Sequence, residues 1–76
     1  MKEMLTTIIN SLVTDVSAVS INEIEGEKSV IYEVKVAESD MGKVIGKEGR
    51  IAQAIRTLMK ALAAKENKKI NIEFIG

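Results

Sequence analysis

The sequence predicts a two-layer α+β domain, in which three helices cover one face of a three-stranded sheet. Apolar residues recur with helical spacing in two long stretches, and they alternate with polar residues in three others. No proline, repeat or low-complexity stretch divides the 76 residues, so we expect one domain over residues 1–76. A sheet this small buries its apolar face against helices, which gives two layers.

The first half is predicted to form a helix and a hairpin. Residues 1–14 carry one apolar stripe at three- and four-residue spacing: Met1, Met4, Leu5, Ile8, Ile9, Leu12 and Val13. Residues 16–24 form a weaker strand, in which Ile24 breaks the alternation. After the polar turn 25–28, the strand 29–37 places Val30, Tyr32, Val34 and Val36 on one face.

The second half adds two helices and a strand. Ser39 or Asp40 can cap a short helical turn from Met41 to Ile45, and Gly46 to Gly49 form a glycine turn. Residues 50–65 form the longest helix, with its core stripe at Ile51, Ile55, Leu58, Met59 and Leu62. Asn67 ends it, and the last strand follows over about 69–75, with Ile70, Ile72 and Phe74 on one face. The last two strands, if they are neighbours, are parallel.

The composition argues against an enzyme. The chain has no cysteine and no histidine, so it lacks the usual general base, thiolate and metal ligand. We therefore expect no catalytic residue, no metal and no cofactor. The apolar stripe at the start is periodic and no cleavage site follows, so we expect no signal peptide, no membrane contact and a cytoplasmic protein.

The charges are unevenly distributed although the net charge is zero. Residues 1–39 have a net charge of −4, residues 40–60 of +3 and residues 61–76 of +1. The positive charge gathers around the stretch MGKVIGKEGRIAQAI, residues 41–55. This local patch suits an anionic partner, and a solvated helix face explains it equally well.

Three interpretations of residues 41–55 are open: a phosphate-binding turn, an ordinary loop and a helix-packing device. Gly46 and Gly49 permit a tight turn without Cβ atoms, and the following helix presents free N–H groups beside the cations. The spacing matches neither the P-loop nor the GxGxxG pattern. Gly42 lies one turn earlier and is assigned to packing in the short helix.

The segment VIGKEGRIAQAI resembles the KH signature, an aliphatic residue and Ile-Gly-x-x-Gly followed by Ile, with this isoleucine shifted by one position. KH domains clamp about four single-stranded nucleotides with the GxxG loop. The helix and strand before the core correspond to a bacterial type II KH domain, and the short chain is similar to the single-domain KhpA family. The resemblance implies that the RNA-binding residues are Lys43, Val44, Ile45, Gly46, Lys47, Glu48, Gly49, Arg50 and Ile51. Core packing is an alternative for at least one of the three aliphatic residues.

Two further expectations concern the affinity for RNA and a dimer interface. Glu48 puts a negative charge in the clamp, and Tyr32 and Phe74 are assigned to the core, so we expect weak RNA binding with little sequence preference. A stripe of small residues on the longest helix is a candidate dimer interface: Ala54, Thr57, Ala61 and Ala64. The high helix propensity of alanine explains the stripe equally well.

The resemblance implies a homodimer, a heterodimer with the KH-containing protein KhpB, and a role as RNA chaperone or post-transcriptional regulator in cell elongation and cell-wall growth. The alternative is a protein-interaction or dimerisation module with a vestigial RNA groove.

Overall fold

The computed structural model describes residues 1–75 and confirms the predicted order of elements. The helices are α1 (Lys2–Leu12), α2 (Met41–Ile45) and α3 (Arg50–Lys65), and the strands are β1 (Ser20–Glu25), β2 (Ser29–Lys35) and β3 (Lys69–Ile75). Three short 3-10 turns lie between them, at Val16–Ala18, Glu38–Asp40 and Lys47–Gly49. The α+β fold, with the order α-β-β-α-α-β, is confirmed.

The three strands form one mixed sheet in the order β1-β2-β3. β1 and β2 are antiparallel, with Ile21 opposite Val34, whereas β2 and β3 are parallel, with Val34 opposite Phe74. The parallel neighbours are joined through α2, the glycine turn and α3, as predicted. Because β2 leads into this connection, the glycine turn and the start of α3 lie toward the carboxyl ends of β2 and β3.

The core lies between the helices and one face of the sheet. Alternate residues of β2 point into it, and Leu5 and Ile9 of α1 are fully buried against them. The other buried core residues are Val30, Tyr32, Val34, Val36, Val44, Ala52, Ile55, Met59, Ala63, Ile70 and Ile72. Tyr32 is therefore a core residue as predicted, whereas Phe74 is only partly buried.

The predicted strand 16–24 is wrong at its start. Val16–Ala18 form a 3-10 turn, and the strand runs from Ser20 to Glu25. Ile24 is 48% exposed and lies opposite Ile31, outside the core, which explains why it breaks the alternation. The predicted helix 1–14 ends two residues early, because Val13 has extended backbone angles. The predicted strand 29–37 likewise ends at Lys35.

The predicted bounds of α3 are confirmed. Asn67 has a φ of 57° just beyond the helix, and the N–H groups of Asn67 and Lys68 donate to the carbonyl oxygens of Ala64 and Ala63. This hydrogen-bond pattern is the Schellman motif, which tolerates asparagine in the left-handed position. Asn67 thus ends the helix as predicted.

The predicted core stripe of α3 is wrong on one side. Ile51 and Leu58 are 37% and 48% exposed. The buried stripe is Ala52, Ile55, Met59 and Ala63. Ile55 and Met59 belong to both stripes, so the buried face of the helix is displaced from Ile51 and Leu58 toward Ala52 and Ala63. Alanine is only weakly hydrophobic, so the sequence pattern did not mark Ala52 and Ala63 as core residues. It favoured the larger Ile51 and Leu58, which lie on the exposed flank of α3.

Within residues 1–75, no helix is long and apolar enough to cross a membrane.

Candidate nucleic-acid interface

The glycine turn is anchored by α2. Val44 is fully buried in the core, whereas Ile45 is partly buried and Met41 packs against the core from the other end. The N–H of Gly46 donates to the carbonyl oxygen of Gly42 at 2.8 Å and closes the helix. The turn therefore starts from a fixed point of the fold. Among the three predicted aliphatic groove residues, Val44 is a core residue.

Gly46 occupies a conformation that only glycine adopts readily. Its backbone angles are φ 73° and ψ −178°. A Cβ atom added here would lie 2.6 Å from Cγ1 and 2.9 Å from Cβ of Ile51, closer than real carbon contacts. The side chain of Ile51 therefore packs directly against the backbone of the turn, and it is 37% exposed beside it.

Gly49 and Glu48 both have a left-handed backbone conformation. Gly49 has φ 75° and ψ 13°, and a Cβ atom there would meet nothing within 4 Å. Glu48 has φ 55° and ψ 26°, which is unfavourable for a residue with a side chain. Lys47 before it is helical, so a right-handed and a left-handed residue follow each other. Such a pair points successive N–H groups into one concavity, which suits an anion.

The start of α3 adds to this anion-binding character. α3 begins at Arg50, directly after the turn, and it runs for 16 residues. Gly49 occupies the capping position and supplies no side-chain hydrogen bond to the first N–H groups. The positive end of the helix dipole and the free N–H groups thus lie beside the open space over Gly49.

The charged side chains of the turn differ in whether they form ion pairs. Lys47 is exposed and makes no ion pair within residues 1–75. The Arg50 guanidinium lies 3.9 Å from the Glu48 carboxylate, and both side chains are more than 80% exposed. An exposed pair at this distance contributes little to stability and leaves Arg50 free to reorient. Lys47 and Arg50 are therefore the cations available at the turn.

Lys43 is engaged elsewhere. Its ammonium group lies 3.4 Å from the buried carboxylate of Asp40, and it also donates to the hydroxyl group of Thr14. The side chain of Lys43 is nevertheless 51% exposed, so a ligand can reach it. Lys43 thus links the helix before the turn to the segment that follows α1.

Asp40 does not cap α2 as predicted. Its side chain makes no hydrogen bond to that helix and instead accepts from the backbone N–H groups of Asp15 at 2.9 Å and Thr14 at 3.0 Å. These hydrogen bonds, more than the nearby Lys43, hold the pKa of Asp40 below its usual value. The carboxylate is only 1% exposed, and its role is to join α2 to the α1–β1 connection.

The predicted small-residue stripe lies on the surface of α3. All four of its members are exposed: Ala54, Thr57, Ala61 and Ala64. Leu58 and Ile51 lie next to the stripe on the flank that was predicted to be core. Together they make a low apolar ridge, which we call the α3 ridge: Ile51, Ala54, Leu58 and Ala61.

Arg56 and Phe74 form a pair that the sequence pattern did not reveal. The Arg56 guanidinium carbon lies 5.2 Å from the centre of the Phe74 ring, and Nε donates to the carbonyl oxygen of Ile72 at 3.2 Å. The two residues are far apart in the chain and meet only because α3 packs against the edge strand β3. Phe74 is thus a partly buried residue that packs against the edge of the core, and not the buried core residue that was predicted.

Candidate metal ligands are absent from the described part of the chain: no group of three or more acidic side chains could hold a metal ion.

Comparisons with known proteins find relatives over nearly the whole chain. A family model described as "KhpA/KhpB, KH domain" matches residues 2–74. The chain is 59% identical over 75 residues to the RNA-binding protein KhpA of Caldanaerobacter subterraneus subsp. tengcongensis, which covers 99% of this chain and 100% of that protein. It is 57% identical over 75 residues to the RNA-binding protein KhpA of Clostridium acetobutylicum, with the same coverage of both chains.

A more distant relative agrees. The RNA-binding protein KhpA of Borreliella burgdorferi is 51% identical over 73 residues, which cover 96% of this chain and 89% of that protein. The comparison with solved structures gave no significant match. The match of the family model over nearly the whole chain and these identities establish that the chain belongs to the KhpA/KhpB family of KH domains.

Proposed function

We propose that this chain is a non-enzymatic protein that binds single-stranded RNA through the turn from Gly46 to Gly49. The observation that carries the proposal is the backbone of this turn, where a right-handed Lys47 and a left-handed Glu48 lie between two glycines of positive φ. The concavity of N–H groups, the start of α3 and the unpaired Lys47 suit a phosphate of the RNA backbone. The relatives named RNA-binding protein KhpA support this assignment.

Binding is weak and has little sequence preference on this proposal. If the predicted RNA-binding residues, Lys43 to Ile51, contact about three phosphates, the affinity for RNA falls roughly 20-fold between 50 and 200 mM salt. The Glu48 carboxylate lies in the clamp and opposes phosphate. Stacking contributes little at the turn itself, because the turn contains no aromatic residue.

A charge reversal in the turn tests the proposal. The variant Lys47→Asp with Glu48→Asp keeps both glycines, and we expect it to bind a single-stranded RNA decamer at least about tenfold more weakly. Lys2→Asp, an exposed position on α1, is the charge control and should bind nearly as well as the parent. Equal thermal unfolding midpoints would show that the loop variant is folded. A folded loop variant with parental affinity would overturn the assignment of the turn.

The cellular part of the proposal follows from the family. We propose a cytoplasmic RNA chaperone or post-transcriptional regulator, linked to cell elongation and cell-wall growth. Sequencing of RNA crosslinked to the protein in cells tests this role. Enrichment of transcripts for envelope growth is expected, and an unchanged cell length after loss of the protein would contradict it.

A second function is favoured by the exposed α3 ridge. Leu58 is 48% exposed on α3, next to small residues that let a second helix approach closely. We propose that this ridge forms a homodimer, or a heterodimer with KhpB, and that Ala54, Thr57, Ala61 and Ala64 line the contact. In the alternative function, the chain acts through this protein–protein contact, and its RNA groove is vestigial.

Ala61→Glu separates the two functions. A carboxylate on the ridge should convert the dimer to a monomer in analytical ultracentrifugation, because an unpaired charge would be buried at the contact. The RNA affinity of the monomer for a tetranucleotide should be unchanged if the two surfaces are distinct. Loss of cellular activity in Ala61→Glu but not in the loop variant would favour the interaction module. A parental dimer in Ala61→Glu would refute the ridge as its interface.

A further inference from the structure

A cavity of about 370 Å³ lies at the end of the sheet opposite the glycine turn. Val30 and Tyr32, from the first half of β2, form part of its lining. The start of α1, the second half of β1 and the segment after α3 complete it. The glycine turn lies toward the carboxyl end of β2, so the two sites are at opposite ends of this strand. We call this space the Tyr32 cavity.

Two carboxylates of β1 lie on the face of the sheet that carries the core. Glu23 is opposite Tyr32 and Glu25 is opposite Val30 in the antiparallel pair, and directly opposed residues point to the same face. Tyr32 and Val30 are buried, whereas both glutamates are exposed and line the cavity. The alternation of β1 would place apolar residues at these two positions. Such a local break in the hydrophobic pattern is typical of a functional site.

The hydroxyl group of Tyr32 has no hydrogen-bond partner in the described part of the chain. The residue is only 2% exposed, and it lines the cavity. Burial raises the pKa of Tyr32, and the carboxylates of Glu23 and Glu25 raise it further, so the hydroxyl lies near them and stays protonated at neutral pH. A hydroxyl buried this deeply is normally hydrogen-bonded, so this one is available to a ligand that enters the cavity.

The charges of the lining favour a cation. Four glutamates line the cavity: Glu3, Glu23, Glu25 and Glu66. The lining residues with positive groups are fewer: Lys2, Lys68 and Met1 with its amino group. Glu25 and Lys68 pair with each other at 2.8 Å. The other three carboxylates form no ion pair within residues 1–75, and a bound cation would reduce their mutual repulsion.

The positions of these carboxylates favour an elongated cation over a compact one. Glu3, Glu23 and Glu66 come from α1, from β1 and from the residue that follows α3. They do not converge on one point, since no three acidic side chains within residues 1–75 are placed to hold a metal ion. A lysine side chain of another protein brings one ammonium group, whereas an aliphatic polyamine brings several along one chain. The volume of the cavity also lies within the range of small-molecule sites.

We propose that the Tyr32 cavity binds a linear aliphatic polyamine. One ammonium group donates to the Tyr32 hydroxyl oxygen and lies beside the carboxylate of Glu23. A second ammonium group lies beside Glu66, where the negative end of the α3 dipole adds to the attraction. The methylene chain between them packs on the apolar part of the lining, which is Val30 and the Tyr32 ring. This site is independent of the proposed RNA binding, because the glycine turn lies at the other end of β2.

Titration with spermidine tests the site, and Tyr32 itself reports on binding. The chain has one tyrosine and no tryptophan, so its tyrosine emission comes from this side chain alone. We expect spermidine to change this emission along a saturable curve at about 50 mM salt, where screening is weak. Isothermal titration calorimetry should give one site per chain. The titrations contain no RNA, because RNA itself attracts polyamines.

Two variants test the contacts, and a third is their charge control. Glu23→Gln with Glu66→Gln should weaken spermidine binding at least about tenfold, because two carboxylates are lost. Tyr32→Phe keeps the ring and should weaken binding about fivefold in calorimetry. Its thermal midpoint should be nearly that of the parent, because the hydroxyl has no partner in the fold. Glu38→Gln with Glu73→Gln removes two exposed carboxylates outside the cavity and should bind spermidine as the parent does.

Four outcomes would overturn the polyamine site. The first is an absence of saturable spermidine binding by the parent. The second is equal weakening in the cavity variant and in the charge control, because net charge alone would then attract the polyamine. The third is a thermal midpoint of Tyr32→Phe lowered by about 5 °C or more, which would mean that the hydroxyl is bonded within the fold. The fourth is binding of acetyl-trilysine amide, which also carries three positive charges, at least about tenfold more tightly than spermidine. That result would assign the cavity to a basic protein segment instead.

Discussion

Gly46 and Ile51 are packed so closely that the turn has no room for a Cβ atom at position 46. Such an atom would lie 2.6 Å from Cγ1 of Ile51. Gly49, three residues later, has positive φ but open space around it. The two glycines of the turn therefore serve different purposes. Gly46 has no room for a side chain, whereas Gly49 has open space on the side where the proposed RNA would approach.

Alanine substitutions should separate these two purposes. Gly49→Ala should cost about 1 kcal/mol of unfolding free energy, because only the left-handed backbone is strained. Gly46→Ala should cost about 2–4 kcal/mol, because a steric clash adds to a conformation that is nearly restricted to glycine. Urea unfolding measures both. Gly49→Ala should also weaken RNA binding more than its small loss of stability explains.

A double-mutant cycle identifies the source of the difference. Ile51→Ala removes the atoms that a Cβ at position 46 would meet. The double variant Gly46→Ala with Ile51→Ala should therefore lose less stability than the sum of the two single variants. Strict additivity would show that the backbone conformation alone, and not Ile51, makes Gly46 necessary.

Asp40→Asn should destabilise the fold and remove part of its acid sensitivity. Asparagine keeps the shape but sets an NH₂ donor against one of the N–H groups of Thr14 and Asp15. We expect the thermal midpoint at pH 7 to fall by about 5–10 °C. Differential scanning calorimetry gives this value.

The pH dependence follows from the lowered pKa of Asp40. Because the folded pKa lies below the ordinary value of 3.8, the stabilisation is fully present above about pH 4. It is lost as the pH falls through the folded pKa. The difference in unfolding free energy between the parent and Asp40→Asn should therefore shrink as the pH falls from 4 to 2. A stability difference that stays constant over this range would contradict the assignment.

Glu48→Asn should improve both the stability of the turn and its affinity for RNA. Asparagine tolerates the left-handed backbone better than glutamate, so we expect a gain of about 0.5 kcal/mol in urea unfolding. Removal of the carboxylate should tighten RNA binding about threefold to fivefold at low salt, which corresponds to the Coulomb energy of one charge near a phosphate in water. Fluorescence anisotropy with a labelled RNA decamer measures this change.

The matched control for this variant is Glu27→Asn, in the exposed turn between β1 and β2. It makes the same change in net charge away from the glycine turn and should leave the affinity near the parental value. Equal tightening in both variants would mean that net charge, and not the position of Glu48, limits the affinity.

The candidate site was predictable in part. The residues from Lys43 to Ile51 are consecutive, so a motif could identify them, and the start of α3 at Arg50 was predicted correctly. The motif could not show which cations form ion pairs and hydrogen bonds in the folded chain and which remain unpaired. Lys43 meets Asp40 and Thr14 only in the folded chain, since Thr14 is 29 residues away. Arg56 and Phe74 were missed for the same reason.

Local sequence patterns determined the order of the elements, the two faces of β2 and the end of α3 at Asn67. These features depend on periodicity and on the backbone preferences of single residues, which act over a few positions. Tertiary structure alone decided which flank of α3 is buried, because Ala52 and Ala63 are covered while Leu58 remains exposed. It also decided the role of Asp40 and the contact between Arg56 and Phe74, since packing between elements distant in the chain creates both.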